Sequence, residues 1–172
     1  ALARLAYTRG DTGALDAELD TALVLQREYG KDTAGNKLEL AECLNVIGMN
    51  YGKKRGDDLS QVRLQQQGLD LVLRYRPKDQ LDSMRWRMQE WTLRNNLALA
   101  FVDAGDYENA RLFALECKRL LAILKPNVPY ESIADMVLGR TYWQMNGDLP
   151  RCLAYLDSAL KPFPPVAPPW YS

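Results

Sequence analysis

At 172 residues, 47% hydrophobic and 26% charged, the chain has the length and composition of one globular domain with a sizeable core, and too little length for two. Its 22 Lys and Arg balance 22 Asp and Glu, and the balance holds on either side of Trp86 (13 against 13, then 9 against 9). Neither half therefore has the basic excess that draws a domain onto nucleic acid or an anionic membrane. Histidine is absent, which excludes His-based triads, imidazole bases and His-ligated metals.

Cys43, Cys117 and Cys152 form no CxxC pair, and an odd number at wide spacing cannot complete a disulfide framework, so a reducing, cytoplasmic setting is expected. No apolar run approaches the roughly 20 residues of a membrane span. The chain opens on Ala1 inside a helical pattern, ALARLAY, and reads as an excerpt of something longer.

Helical spacing runs along the whole chain, and alternating strand patterns are scarce. The predicted helices, in order, are 2–9, 12–30, 35–55, 59–75, 80–104, 107–124, 129–146 and 149–161. In the third, Leu40, Cys43, Leu44, Ile47 and Tyr51 step by three and four, and Leu69, Val72 and Leu73 continue the habit in the fourth. Arg76-Pro77, Lys125-Pro126 and Lys161-Pro162 stop helices, because proline excludes the helical conformation from the residue before it. Eight helices with short connections predict an all-α domain.

A repeat emerges from one dipeptide. Gly-Asp stands between two helices at Gly10-Asp11, Gly56-Asp57, Gly105-Asp106 and Gly147-Asp148, at intervals of 46, 49 and 42 residues. Glycine is expected to end the first helix in the left-handed region, and aspartate to cap the second. Twelve residues after each glycine comes a small residue, Ala22, Gly68, Cys117 and Ala159, followed by Leu23, Leu69, Lys118 and Leu160. Upstream, Ile47-Gly48 with Tyr51, Leu97-Ala98 with Phe101 and Leu138-Gly139 with Tyr142 repeat an apolar, small, x, x, aromatic signature. Small residues there let antiparallel helices approach, and the aromatic fills the adjoining gap.

These residues resemble the tetratricopeptide repeat family, in its long-helix variety found in bacterial regulatory and sensor proteins. Asn96 through Ala110 follows the family pattern, as does Leu138 through Leu160 with Pro162 and Pro164 behind it. Units two and four carry one extra residue between small residue and turn, Gln61 stands where unit three has Ala110, and the period exceeds the family's usual 34 or so residues. The resemblance implies an α-solenoid, a right-handed superhelix of about four hairpins (1–30, 35–75, 80–124 and 129–161), followed by a Pro-rich tail or linker at 162–172. It also implies a concave groove lined by the first helix of each pair. The family's inner-face positions fall on Arg4 and Thr8; on Asn45, Met49 and Lys53; on Asn95, Asn96, Leu99 and Asp103; and on Met136, Arg140, Trp143 and Gln144. Asn amides there would pair with a partner's backbone, and Arg4, Lys53 and Arg140 with its carboxylates.

Catalytic groups read more simply as structure. Cys117 and Cys152 fit as core thiols and Asp57-Asp58 as a helix cap, and neither GxxxxGK[ST] nor GxGxxG occurs. No enzyme activity and no cofactor are expected. Arg74, Arg76, Lys78, Arg85 and Arg87 around Trp86, offset by Asp79 and Asp82, form either a solvated elbow or, with Trp86 as a stacking ring, a nucleic-acid contact. The tail, with Phe163, Trp170 and Tyr171, is a spacer, a cap on the last helix or a PxxP ligand. The expected function is binding of a protein or peptide segment in the groove, as the sensor or scaffold part of a larger regulatory protein. The alternative is self-association as a homodimer through Trp86, Trp91 or the open ends.

Overall fold

The computed structural model describes residues 34–124 and 131–161, together with Ala17 and Val24. The predicted helices 2–9 and 12–30, with Arg4 and Thr8, lie outside the described residues, as does the tail from 162 onward. Six helices follow one another: α1 (Ala34–Arg55), α2 (Asp58–Leu73), α3 (Gln80–Asp103), α4 (Tyr107–Leu124), α5 (Glu131–Asn146) and α6 (Leu149–Leu160). No strand occurs among the described residues, and the all-α class holds.

The Gly-Asp turns do what their chemistry predicts. Gly56, Gly105 and Gly147 have φ of 67°, 78° and 62°, where a Cβ would be strained. The following aspartates cap the next helix: Asp57 Oδ1 accepts from Ser60 N (3.0 Å), Asp106 Oδ1 from Asn109 N (3.2 Å) and Asp148 Oδ1 from Arg151 N (3.1 Å). The extra residue in units two and four is absorbed at the helix end. In all three turns the aspartate N–H bonds the carbonyl of the signature aromatic: Asp106 to Phe101 (2.8 Å), Asp57 to Tyr51 (3.0 Å) and Asp148 to Tyr142 (3.3 Å). The span is one residue wider in the outer two, so each turn leaves its aromatic in the same relation to the cap.

Helix α2 ends at Leu73, two residues before the predicted end, with Arg74 as its cap. Arg76 precedes Pro77 and is steered away from the helical region, so the chain has left the helix before the proline arrives.

The predicted close approaches are present. A Cβ on Gly48 would lie 3.1 Å from the Gln61 carbonyl oxygen, and one on Gly139 would lie 3.1 Å from that of Cys152. In the second and third described hairpins the signature aromatic pairs with a ring of the partner helix: Phe101 with Phe113 at 5.4 Å between centroids, Tyr142 with Tyr155 at 5.5 Å and nearly parallel.

Each helix packs against its neighbours in sequence, and the backbone of α3 also approaches those of α1 and α5; the backbones of α2 and α4 stay apart, as do those of α4 and α6. Contact passes from one end of the series to the other, and among the described helices only α5 brings its backbone close to that of α6. The main core follows the same course, from Leu38 on α1 through Leu69, Leu93, Leu97 and Ala114 to Val137 and Leu138 on α5. A second cluster joins Trp91, Cys117, Leu120 and Ala134, and a third joins Leu44, Ile47 and Leu64 inside the first hairpin.

Candidate functional site

The face to consider is the one carried by α1, α3 and α5, the leading helices of the three described hairpins, which are in direct contact in that order. The inner-face residues separate into two groups on it. Asn45 and Asn95 are both 4% exposed, and their expected pairing with a partner's backbone is corrected by the packing. Asn45 Oδ1 accepts from Gln65 Nε2 on α2 (3.1 Å) and from Asn96 Nδ2 on α3 (3.0 Å), so the amides join three helices to one another. The bond to Asn96 places Asn45 in the contact between α1 and α3. Asn95 Oδ1 is buried without a hydrogen-bond partner.

The second group faces solvent. Lys53, Asp103, Arg140 and Gln144 are exposed, and Met136 and Trp143 show 43% and 48% of their surface. Met49 is half-buried, and Leu99 packs half-buried on the main core. Arg140 Nη1 lies 3.4 Å from Asp103 Oδ1, joining α5 to α3 across the face. Both side chains are about half exposed, so the pair is held by at most ~1 kcal/mol, and an incoming carboxylate can take the guanidinium. The face thus offers one cation, one exchangeable ion pair, a thioether and an indole.

The sequence did not point to Asp135. It is 1% exposed, forms an ion pair with Lys118 on α4, and accepts from Ser158 Oγ on α6 at 2.7 Å. Lys118 also lies over the Tyr155 ring, 5.8 Å from its centroid. The only available signal was indirect: Lys118 stands where the other repeats have leucine, and a cation in an apolar register needs a buried acid nearby. Gln65 was likewise missed, although Gln61, Gln65 and Gly68 share one face of α2 and all three are buried.

Burial pushes the Cys117 thiol up to about 12, so it is protonated at neutral pH, and its Sγ lies 3.9 Å from the Trp91 carbonyl oxygen. Cys152 is also buried. Around the elbow, Trp86 is not a free stacking ring. Its Nε1 donates to Val72 O at 2.8 Å, and the indole packs half-buried on the main core. Trp91 is 5% exposed, which withdraws it as a contact for a second copy. No described helix is long and apolar enough to cross a membrane. Compared with protein-family models, with curated proteins and with solved structures, the chain matches none of them.

Proposed function

We propose that the chain is a tetratricopeptide-like α-solenoid that binds a protein or peptide segment along the face of α1, α3 and α5, as a non-catalytic sensor or scaffold within a larger cytoplasmic regulatory protein. The supporting observation is the contact pattern. The backbones of the leading helices approach one another while those of the second helices do not, as in a stack curved around its leading helices. On that face Trp143 supplies an aromatic anchor and Arg140 a cation whose present partner is weakly held.

A phage-displayed peptide library selected on the full chain tests this reading. Enriched peptides are expected to bind at least about tenfold more weakly to an Arg140→Ala, Trp143→Ala variant whose melting temperature is unchanged. Enriched peptides that ignore both substitutions would move the site elsewhere, and failure to enrich any would count against peptide binding.

Self-association is the second reading, favoured by α6. Leu149, Leu153 and Leu160 are 48%, 50% and 66% exposed on a helix whose backbone packs on that of α5 alone among those described. Sedimentation over a range of concentrations decides it, with Leu153→Glu expected to abolish any dimer.

A further inference from the structure

The corner where α2 meets α3 carries a second surface, roughly 30 Å along α3 from Asp103 at the helical rise per residue. Two hydrogen bonds hold it: Trp86 Nε1 to Val72 O at 2.8 Å, and Tyr75 Oη to Asp82 Oδ2 at 2.6 Å. The two bonds fasten the stretch from Val72 to Tyr75, which carries Leu73 and Arg74, to the stretch from Asp82 to Trp86, which carries Met84 and Arg85, with Leu81 one residue ahead of it. Leu81, Met84 and Arg85 are spaced to share one face of the first turns of α3. Leu81 is 78% exposed, Met84 56% and Leu73 41%, and Arg74, Lys78 and Arg85 are exposed among them.

The acids that offset these cations in the sequence are turned to local structure. Asp79 Oδ1 accepts from Asp82 N at 2.8 Å, and Asp82 Oδ2 accepts from Lys78 N at 2.9 Å as well as from Tyr75. Arg76 is exposed as well, its Nη1 donating to the carbonyls of Leu73 and Tyr75. What faces outward is three apolar tips among four cations, Arg74, Arg76, Lys78 and Arg85, against one exposed carboxylate, that of Asp79.

We propose that this corner is a docking surface for an acidic segment of a partner protein, one that carries apolar side chains between its carboxylates. Charge complementarity selects the carboxylates, and the exposed leucines and methionine supply contact area that a purely ionic ligand leaves uncovered. A single-stranded nucleic acid stacks its bases on open aromatic rings, and the one indole here is bonded and half-buried. An anionic bilayer would also face the surroundings of the corner. With five of the 22 cations and two of the 22 acids near the corner, the rest of the chain holds 17 against 20, whereas a short segment engages the corner alone.

The test uses the full chain and a fluorescein-labelled peptide in which glutamates alternate with leucines. Its comparators are the same peptide with serine for leucine, vesicles containing phosphatidylserine, and an oligothymidylate. The Glu/Leu peptide is expected to bind in a salt-dependent manner and at least about tenfold more tightly than the Glu/Ser peptide. Arg74→Glu with Arg85→Glu, and separately Leu81→Ser with Met84→Ser, should each weaken it about tenfold at unchanged helicity, whereas Arg140→Ala leaves it intact. Absence of binding, equal binding of the Glu/Ser peptide, preference for vesicles or oligonucleotide, or sensitivity to Arg140→Ala alone would each overturn the assignment.

Discussion

Gln61 fills the space that Gly52 leaves open: a Cβ built on Gly52 would run into the end of the Gln61 side chain, with Gln61 Cδ only 2.7 Å away. Counted from each unit's small residue and turn, the same two places in the next hairpin hold Val102 and Ala110, both buried in the main core. One hairpin pairs nothing with a long amide, and the other pairs a branched side chain with a methyl. The departure at Gln61 is thus matched within its own hairpin.

Gly52→Ala should forfeit the roughly 1 kcal/mol that alanine gains over glycine inside a helix, because the end of the buried Gln61 side chain must shift to make room. The same change in a Gln61→Ala background should forfeit less, and Gly52→Val with Gln61→Ala should be more stable than either single variant. A double-mutant cycle from urea midpoints measures the coupling, expected at about 0.5–3 kcal/mol. Additive effects would separate the two positions.

Asp135 is nearly inaccessible and depends on Lys118 and Ser158. Lys118→Leu restores the leucine found in the other repeats, yet it should destabilise the fold by about 3 kcal/mol, because it strands a buried carboxylate. Replacing both residues, Lys118→Leu with Asp135→Leu, should recover most of that loss. Thermal unfolding of the protein and the two variants reads the difference.

The Tyr75–Asp82 bond predicts a two-sided pH dependence. The Tyr75 hydroxyl, then the Lys78 N–H, hold the Asp82 carboxyl below its usual range. Its contribution is present above the unfolded carboxylate value, about 4, and lost as pH falls through the lower folded one. The Asp82 carboxylate in turn raises Tyr75, so that contribution is present below about 10 and lost as pH rises through the raised value. The gap in melting temperature between the protein and Tyr75→Phe should therefore be widest near neutrality and narrow at both extremes.

Thiol labelling at neutral pH should modify Cys43, which is half-buried, ahead of Cys117 and Cys152. With its thiol raised to about 12 by burial, Cys117 should react only as fast as the protein opens, and denaturant should equalise the three. Fast labelling of Cys117 in the folded protein would contradict its burial.

The local rules that act on neighbours along the chain were legible from the amino-acid sequence. Helix positions followed from apolar steps of three and four, and the stops from proline. The turns at Gly56, Gly105 and Gly147 followed from one dipeptide, because a left-handed glycine and a capping aspartate need no distant partner. The close approaches at Gly48 and Gly139 were legible for the same reason, since repetition marks a place where two backbones meet.

Which polar residues of the leading helices face solvent was decided only in three dimensions. Periodicity puts Asn45, Asn95 and Arg140 on corresponding faces, but whether a face is a wall or a joint depends on how near the next leading helix stands. Asn45 is buried where α1 meets α3 and Asn95 is buried as well, while Arg140 keeps half its surface and meets Asp103 at the rim. Asp135 and Gln65 were hidden likewise, because their partners lie 17 to 23 residues away on other helices. A buried polar group is tolerated for what it bonds to, and the identity of that partner is a property of packing.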